Sequence, residues 1–243
     1  MKKLVVFGAT SAISQAFLNR VAKKYSTVVL IARDSIQLEE IAAHVRIISG
    51  AKVEVIVSDL ARIDTHTNLV EQSCNNGVIC ALISYGQLTD QERCKSDPQY
   101  AMEQFALNGT STISLSAAVT SVFAKQGGGV LAVVGSVAGD RGRRSNYYYG
   151  AAKSAVASFL SGLRSEMLQH GVTVVTVKPG FVDTPMTQDF KKGFLWASAE
   201  KVAADIDSAI ERRRSELYTP WFWRYIMWVI KCIPEWLFKK LPL

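Results

Sequence analysis

The fold is indicated first by residues 4–14, which read Leu-Val-Val-Phe-Gly-Ala-Thr-Ser-Ala-Ile-Ser. The first four residues are apolar without alternation, which predicts a strand buried on both faces. Gly8 and other small residues follow, and a helix is predicted from Ser14 onward. A buried strand, a glycine turn and a helix in this order are typical of a sheet whose parallel strands are joined by crossover helices.

This unit repeats along the chain. Apolar runs rich in β-branched residues predict further strands at 27–31, 53–57, 78–83, 130–134, 172–177 and 216–219. Stretches of helical length and periodicity lie between them, at 14–24, 35–44, 63–75, 98–125, 151–170 and about 197–214. The alternation predicts the α/β class, as a single Rossmann-like, doubly wound parallel sheet of about seven strands. We assign residues 1–220 to this domain and residues 221–243 to an amphipathic, helical C-terminal tail.

The composition argues against several other classes of protein. With 49% hydrophobic and 20% charged residues, the 243-residue chain is expected to fold around a sizeable core. Its four cysteines and three histidines are scattered, so we expect no metal site, reduced thiols and a cytoplasmic location. The charged start is not followed by the apolar run of a signal peptide. The net charge is +7, and we expect no nucleic-acid partner.

The turn after the first strand is a candidate phosphate-binding turn, because the N-terminus of the following helix can receive a dinucleotide pyrophosphate. The second and third glycines of the usual fingerprint fall on Ala12 and Ser14, where a positive φ would be strained. A plain strand-to-helix turn is therefore the alternative. Arg33, at the end of the second strand, suits a 2′-phosphate and favours NADPH over NADH, unless it is simply solvated. Neighbouring Asp34 can either cap a helix or weaken that preference.

A tyrosine and a lysine form the candidate reacting centre. Tyr149 and Lys153 are four residues apart and lie on one helical face, whereas Tyr147 and Tyr148 have alanine at that spacing. A nearby ammonium favours the phenolate and would lower the pKa of Tyr149 toward the range useful for proton transfer. Ser136 follows the fifth strand, at the carboxyl edge where ligands bind, and its hydroxyl can hydrogen-bond a substrate carbonyl.

Together with residues 179–184 after the sixth strand, these features resemble the short-chain dehydrogenase/reductase family over residues 3–220. The resemblance implies a catalytic tetrad that consists of Asn108, Ser136, Tyr149 and Lys153. The tyrosine would be the acid or base, the lysine would also hold the nicotinamide ribose, the serine would polarise the carbonyl, and the asparagine would position a relay water. The resemblance further implies NADPH or NADH bound by Gly8, Thr10, Ser11, Ala12, Ile13, Arg33, Asp59, Leu60, Tyr85, Gly86, Lys153, Pro179, Gly180, Val182 and Thr184.

The chain departs from this family in two places. One is the glycine turn, and the other follows the fourth strand, where the usual Asn-Ala-Gly reads Ser84-Tyr85-Gly86. Both departures are expected to affect the affinity for the cofactor more than the reaction at the tetrad. Within the family pattern, Asp59 is expected to contact the adenine and Thr184 the nicotinamide end.

An arginine-rich loop lies beside the reacting centre. Residues 139–146 read Gly-Asp-Arg-Gly-Arg-Arg-Ser-Asn. Arginine binds phosphate through a fork of parallel hydrogen bonds. We therefore predict that Arg141, Arg143 and Arg144 bind a phosphorylated substrate, with a solvated loop as the alternative.

The tail, residues 221–243, holds four of the five tryptophans. Its uncharged run at 225–230 is far shorter than the roughly 20 residues that cross a bilayer. Aromatic and basic residues, with Pro234 as a kink, favour a segment that lies in the membrane interface. The alternative is a helix packed in a dimer interface or over the active site.

The arginine-rich loop and the tail together resemble one branch of the family, the decaprenylphosphoryl-2-keto-β-D-erythro-pentose reductases. The matching stretches are 138–146, 222–227, 233–234 and 240–242. The resemblance implies reduction of a keto sugar on a polyprenyl phosphate to an arabinofuranose-type product. This is the second half of an epimerisation begun by a partner oxidase, and it would take place on the inner face of the cell membrane.

Three hypotheses follow from the sequence. The first is a peripheral membrane NAD(P)H-dependent ketoreductase of a lipid-phosphate-linked keto sugar. The second is a reductase of a soluble or acyl ketone whose tail serves to form a homodimer or tetramer. The third is a non-catalytic, redox-sensing adaptor, motivated by the altered glycine turn and the missing Asn-Ala-Gly.

Overall fold

The computed structural model describes residues 2–75 and 77–241. In chain order its strands are β1 (Lys3–Phe7), β2 (Thr27–Ala32), β3 (Lys52–Val57), β4 (Val78–Ile83), β5 (Gly129–Val134), β6 (Val172–Pro179), β7 (Phe181–Asp183), β8 (Trp196–Ser198) and β9 (Glu216–Thr219). Its helices are α1 (Ala12–Val21), α2 (Ser35–Ser49), α3 (His66–Ser73), α4 (Gln91–Ser96), α5 (Pro98–Phe105), α6 (Ser111–Lys125), α7 (Tyr147–Met167), α8 (Ala199–Glu211), α9 (Trp223–Cys232) and α10 (Glu235–Phe238).

The main sheet has seven strands in the order β3-β2-β1-β4-β5-β6-β9, and each neighbouring pair is parallel. The predicted doubly wound sheet of the α/β class is therefore confirmed. The strand order reverses beside β1, whose neighbours are β2 and β4. At such a switch point the loops after adjacent strands diverge and leave a crevice at their carboxyl ends. Gly8, Ser84 and Ser136 reach this edge because they follow β1, β4 and β5.

Helices cover both faces of the sheet, which explains why the strands read as unalternating apolar runs. In β1, Leu4 and Val6 belong to the core formed with α1, α2 and α8. The intervening Val5 and Phe7 belong to the core formed with α3, α6 and α7. All four side chains are fully buried, and burying each one contributes about 1.5–3 kcal/mol.

Several element boundaries differ from the prediction because short-range patterns do not show them. The predicted helix at 98–125 is divided into α5, a π-helical turn at Ala106–Thr110 and α6. Helix α4 was not predicted, since its six residues are mostly polar. Helix α7 begins at Tyr147 rather than at residue 151. Residues 196–198 form β8, which pairs with β7 in a small second sheet, so α8 starts later than predicted.

The tail folds back onto the main domain as α9 and α10. Trp223 and Met227 on α9 are buried, and they pack with Val137 and Tyr218 of the domain. The opposite side of the tail is exposed, apolar and largely aromatic, with Trp221, Tyr225, Trp228, Val229, Trp236 and Leu237 at its surface. The predicted kink is present, since α9 ends before Pro234.

No helix within the described residues is both long enough and apolar enough to cross a bilayer. Two residues of the predicted tail, Pro242 and Leu243, lie outside the described residues, as do Met1 and Asn76. The division into residues 1–220 and 221–243 stays a prediction.

Candidate active site

A cavity of about 670 Å³ lies at the carboxyl edge of the sheet. Every residue predicted to bind the cofactor lines it: Gly8, Thr10, Ser11, Ala12, Ile13, Arg33, Asp59, Leu60, Tyr85, Gly86, Lys153, Pro179, Gly180, Val182 and Thr184. Ser136 and Tyr149 line the same cavity. The structure thus brings together residues that are spread over most of the chain, because most of them follow the end of a parallel strand and Tyr149 and Lys153 lie on α7 beside that edge.

Glycine at position 8 lets the turn after β1 pack closely against the segment after β4. Gly8 has φ +83°, and a Cβ there would collide with the carbonyl oxygen of Ser84. Ser11 caps α1, since its hydroxyl accepts a hydrogen bond from the Ser14 amide at 3.1 Å. Ala12 and Ser14 lie within the right-handed helix α1, so neither needs a positive φ. The strain expected from the missing glycines is therefore absent at these two positions.

The second departure from the family pattern is also accommodated. The hydroxyls of Ser84 and Ser11 hydrogen-bond at 3.0 Å and tie the end of β4 to the turn after β1. Gly86 is retained, with φ +140°, and a Cβ there would lie 2.6 Å from Oδ1 of Asn108. Only glycine fits between this asparagine and the cavity. The residues present fit a dinucleotide, because the turn after β1 and the N-terminus of α1 form a cradle at the cavity, where helix N–H groups can receive a pyrophosphate.

The end of the cavity beside β2 carries Arg33, and the neighbouring Asp34 is engaged as a helix cap. Arg33 is exposed and lines the cavity at the end of β2. Asp34 caps α2, since its carboxylate accepts a hydrogen bond from the Gln37 amide at 3.0 Å. Of the two roles open to Asp34, the structure therefore shows the helix cap. Asp59 lines the cavity from beyond β3 and accepts a hydrogen bond from the Ala61 amide at 3.0 Å.

The reacting centre is formed by α7 and the end of β5. Tyr149 and Lys153 lie one turn apart on α7, with the lysine Nζ 5.7 Å from the centroid of the tyrosine ring. Ser136 directs its hydroxyl back to the amide of Ala138, from which it accepts a hydrogen bond at 3.1 Å. This bond fixes the start of the turn after β5. The four-residue spacing predicts that Tyr149 and Lys153 share one face of a helix, and the structure has them one turn apart on α7.

Asn108 lies behind the cavity wall in the π-helical turn Ala106–Thr110. It is fully buried, and its Nδ2 donates to the Gln104 carbonyl at 3.1 Å. Its Oδ1 accepts a hydrogen bond from the Gln87 amide at 3.1 Å. Asn108 does not itself line the cavity, so its predicted contact with a relay water stays a prediction. Its visible role is to fix the strand-end segment that contains Gly86.

The protonation of the two central groups differs from the prediction. Burial raises the pKa of Tyr149 to about 12, and the hydroxyl of Ser136 only partly opposes that rise. Burial lowers the pKa of Lys153 to about 8. We expected the Lys153 ammonium to lower the pKa of Tyr149, but burial raises that pKa and only the Ser136 hydroxyl opposes it. At neutral pH the phenol is therefore protonated, which is the form that donates a proton.

The structure separates the three arginines of the loop at 139–146. Arg143 lines the same cavity as Ser136 and Tyr149. Arg144 is exposed and does not line the cavity. Position therefore favours Arg143 as the substrate-binding arginine and does not support Arg144.

We predicted that Arg141 binds a phosphorylated substrate. In the structure its guanidinium instead binds the tail. Its Nη1 donates to the carbonyl oxygens of Ile230 at 2.5 Å and Ile233 at 2.6 Å, where α9 ends. Its Nη2 donates to the carboxylate of Glu235 at 2.9 Å, and the group stacks on the ring of Phe238. The last carbonyls of a helix lack intrahelical donors and favour a cation. Arg141 thus links the loop to the tail.

Sequence reasoning did not predict the buried ion pair between Lys178 and Asp140, which belongs to the loop at 139–146. Nζ of Lys178 lies 2.7 Å from Asp140 and 2.6 Å from Glu216. The hydroxyl of Tyr218 donates to Asp140 at 2.7 Å. Burial alone would lower the pKa of Lys178, but hydrogen bonds to the two carboxylates outweigh it and raise the pKa. The only signal in the sequence was a lysine at the end of an otherwise apolar strand.

The tail also packs against Gly180 and Phe181, which line the cavity. A Cβ at Gly180 would collide with the indole of Trp223, so α9 packs directly on the segment after β6. The Phe181 ring stacks on Trp196 at 5.3 Å and meets Trp223 edge-on at 5.4 Å. Sequence reasoning also missed other lining residues, which include Gln87, Leu88, Thr89, Asn146, Phe181, Met186 and Phe190.

Potential metal ligands and cysteines lie apart from one another in the described part of the chain. No group of three or more potential metal-binding side chains occurs there. All four cysteines are unpaired, and three of them are buried.

Comparison with known proteins places the chain among dehydrogenases. A family model described as short chain dehydrogenase matches residues 2–193. An uncharacterized oxidoreductase from Mycobacterium tuberculosis is 31% identical over 241 residues, which cover 98% of this chain and 96% of that protein. An uncharacterized oxidoreductase from Streptomyces coelicolor is 31% identical over 242 residues, with 99% and 96% covered.

Solved structures share the fold at lower identity. A short-chain dehydrogenase from Sphingobium yanoikuyae in complex with NADPH has a TM-score of 0.83 at 22% identity, with 97% of each chain covered. A short chain dehydrogenase from Burkholderia cenocepacia in complex with NADP has a TM-score of 0.84 at 18% identity, with 99% of this chain and 97% of that chain covered.

Proposed function

The chain belongs to the short chain dehydrogenase family and is an NAD(P)-dependent oxidoreductase, and on this premise we propose that it reduces a ketone with NADPH. The observation that carries the proposal is the single cavity that contains both the dinucleotide cradle and the side chains of Ser136, Tyr149 and Lys153. A non-catalytic adaptor would not need these groups in one place. The two departures that motivated the adaptor hypothesis are accommodated by Ser11, Ser84 and Gly86.

The residues of the chain take complementary roles in this reaction. When bound, the nicotinamide supplies a hydride to the carbonyl carbon. Tyr149 donates its phenolic proton to the carbonyl oxygen, and its raised pKa keeps it protonated for that step. Ser136 donates a hydrogen bond to the same oxygen and polarises the carbonyl. Lys153 holds the nicotinamide ribose and, as an ammonium, stabilises the phenolate that Tyr149 becomes.

The proposed preference for NADPH rests on Arg33. With Asp34 engaged as a helix cap, the exposed arginine is the charged group available to the ribose at the end of β2. A guanidinium suits a 2′-phosphate, and a carboxylate would suit a free 2′-hydroxyl.

Replacing Arg33 with glutamine is expected to weaken NADPH binding by about 10- to 100-fold, because charge-assisted hydrogen bonds to the phosphate are lost. NADH affinity should change by less than about twofold, since NADH lacks that phosphate. Fluorescence titration of the purified full chain measures both affinities. Arg46→Gln is the matched control, because this arginine lies in the last turn of α2 and does not line the cavity. An equal loss of affinity for both cofactors would refute the assignment of Arg33.

We further propose that the ketone is a keto sugar on a polyprenyl phosphate and that the protein is peripheral to the membrane. The resemblance of the loop and tail to one branch of the family supports this substrate. The aromatic surface of the tail supports the location, because exposed tryptophans beside lysine and arginine favour the interface of an anionic bilayer. A partner oxidase would supply the keto sugar. Reduction of that ketone then completes the epimerisation.

The membrane proposal predicts that three exposed tryptophans govern binding to vesicles. Replacing Trp221, Trp228 and Trp236 together with alanine should reduce binding to phosphatidylglycerol vesicles at least about tenfold. These side chains are exposed, so the fold should survive, whereas deletion of the tail would also remove the buried Trp223. Co-sedimentation measures the binding.

A matched control replaces three exposed apolar residues far from the tail, namely Ile36, Ile47 and Leu168. This control should bind vesicles like the wild type. If the tryptophan variant binds normally, the membrane proposal is wrong. If it instead breaks a dimer or tetramer without an effect on vesicles, the tail serves self-association, as in the second hypothesis.

A further inference from the structure

The order of the strands places the C-terminal tail beside the reacting centre. Strand β9 pairs in parallel with β6, which in turn pairs in parallel with β5. The carboxyl ends of these three strands therefore lie at the same edge of the sheet. Ser136 follows β5, Gly180 follows β6, and the tail follows β9. Arg33 follows β2, which lies on the other side of β1 in the sheet.

Trp223, the first residue of α9, contacts the chain after β6 at three points. Its indole occupies the space that a Cβ at Gly180 would need, and its ring meets Phe181 edge-on at 5.4 Å between the centroids. Its Nε1 donates to the carbonyl oxygen of Leu195 at 3.4 Å. Gly180 and Phe181 line the cavity, and so do several residues of the stretch 184–195, which Leu195 ends. Trp223 therefore joins segments that form one side of the cavity.

The same face of α9 packs on the turn that follows Ser136. Trp223 and Met227 are four residues apart on α9 and form one buried cluster with Val137 and Tyr218. Val137 directly follows Ser136 in the chain. Met227 is fully buried in this cluster. Helix α9 thus contacts both the turn after β5 and the segment after β6.

Hydrogen bonds hold α9 in this position from its two ends. Before the helix, the amide of Gly180 donates to the carbonyl oxygen of Thr219 at 3.0 Å. At its end, Arg141 donates to the carbonyl oxygens of Ile230 and Ile233. Protein interiors are closely packed, so a shift of a buried helix face moves the groups that it contacts. The position of α9 therefore bears on the segments after β5 and β6.

We infer that Trp223 and Met227 are positioning residues, which hold the turn after Ser136 and the segment at 179–181 in the arrangement that receives the nicotinamide half of NADPH. The inference rests on the proposed ketoreductase function and adds the tail to the residues that serve it. Both side chains act through the segments that they contact. The adenosine half is received beside Arg33, on the other side of β1, so its binding should not depend on the tail.

The test compares the binding of two ligands to the purified full chain by calorimetry, and it needs no ketone. NADPH fills both halves of the site, whereas adenosine 2′,5′-bisphosphate carries only the adenosine half with its 2′-phosphate. Met227→Lys places a charge on the buried face of α9 and should displace that face. The affinity for NADPH should fall by about 5- to 150-fold, and that for the bisphosphate should stay within about twofold, because only the nicotinamide half is coupled to α9.

Val229→Lys is the matched control, because it adds the same charge to α9 at a residue that is 53% exposed. This variant should bind both ligands like the wild type. Trp223→Leu leaves the charge unchanged and removes the indole at Gly180, so it should repeat the selective loss of NADPH affinity. Trp223→Phe keeps an aromatic ring against Phe181 and should recover most of that affinity.

The inference is overturned if Met227→Lys and Trp223→Leu bind NADPH like the wild type, or if Val229→Lys weakens NADPH binding as much as Met227→Lys does. It is also overturned if the affinities for NADPH and for the bisphosphate fall together, because a general loss of structure would lower both. If the wild type binds neither ligand, the proposed function itself fails, and the inference fails with it.

Discussion

Replacing Tyr149 with phenylalanine is expected to slow ketone reduction by about 10²- to 10⁴-fold, the usual contribution of a general acid. The substitution removes only the phenolic hydroxyl, and that hydroxyl is the proton donor in our account. The ring stays, so NADPH affinity should change by less than about twofold and the fold should be intact. Oxidation of NADPH in the presence of keto-sugar phosphates measures the rate, and fluorescence titration measures the affinity.

The neighbouring tyrosine provides the control. Tyr147 lies at the start of α7 and is 41% exposed, so Tyr147→Phe should leave the rate within about twofold of the wild type. If Tyr149→Phe reduces the ketone as fast as the wild type, Tyr149 is not the acid. Equal losses in both tyrosine variants would point to general damage at the start of α7.

Replacing Lys178 with methionine is expected to lower the free energy of unfolding by about 3–5 kcal/mol, because it leaves the buried carboxylate of Asp140 without its cation. The side chains of Lys178 and Asp140 are 9% and 3% exposed, so water cannot replace the lost partner. Asp140 also accepts a hydrogen bond from Tyr218. This bond reduces the loss of stability, but it supplies no positive charge. Urea unfolding of the full chain measures the change.

The double variant Lys178→Met with Asp140→Asn should recover part of that loss, since no uncompensated charge stays buried. The pair Lys201–Asp205, whose lysine side chain is 52% exposed, supplies the comparison, and Lys201→Met should cost less than about 1 kcal/mol. A loss for Lys178→Met as small as that for Lys201→Met would show that the ion pair does not hold the loop. A double variant less stable than Lys178→Met alone would contradict the proposed reason.

Local sequence patterns predicted the sheet because its strands are buried on both faces. The run Leu4–Phe7 and its counterparts needed no knowledge of tertiary contacts to be recognised as strands. The carboxyl ends of parallel strands then placed Gly8, Ser136 and the other cavity residues at one edge. The helical spacing of Tyr149 and Lys153 likewise selected the one of the three neighbouring tyrosines that lines the cavity.

The features that the sequence could not reveal depend on contacts between distant segments. Arg141 looked like its neighbours Arg143 and Arg144, and only the position of α9 shows that it binds the end of that helix. The pairing of Lys178 with Asp140 joins residues from different elements, so no local pattern encodes it. The pKa of Tyr149 depends on how deeply the phenol is buried, which spacing along a helix cannot give.

The most direct test of the central claim is a titration of the purified full chain with NADPH, followed by tryptophan fluorescence and thermal stability. Our account predicts saturable binding. At a hundredfold excess over the dissociation constant, binding should stabilise the fold by about 2.7 kcal/mol and raise the melting temperature by about 5–10 °C. NADH should bind more weakly. If neither cofactor changes the fluorescence or the melting temperature, the cavity is not a dinucleotide site and the account of a reductase is contradicted.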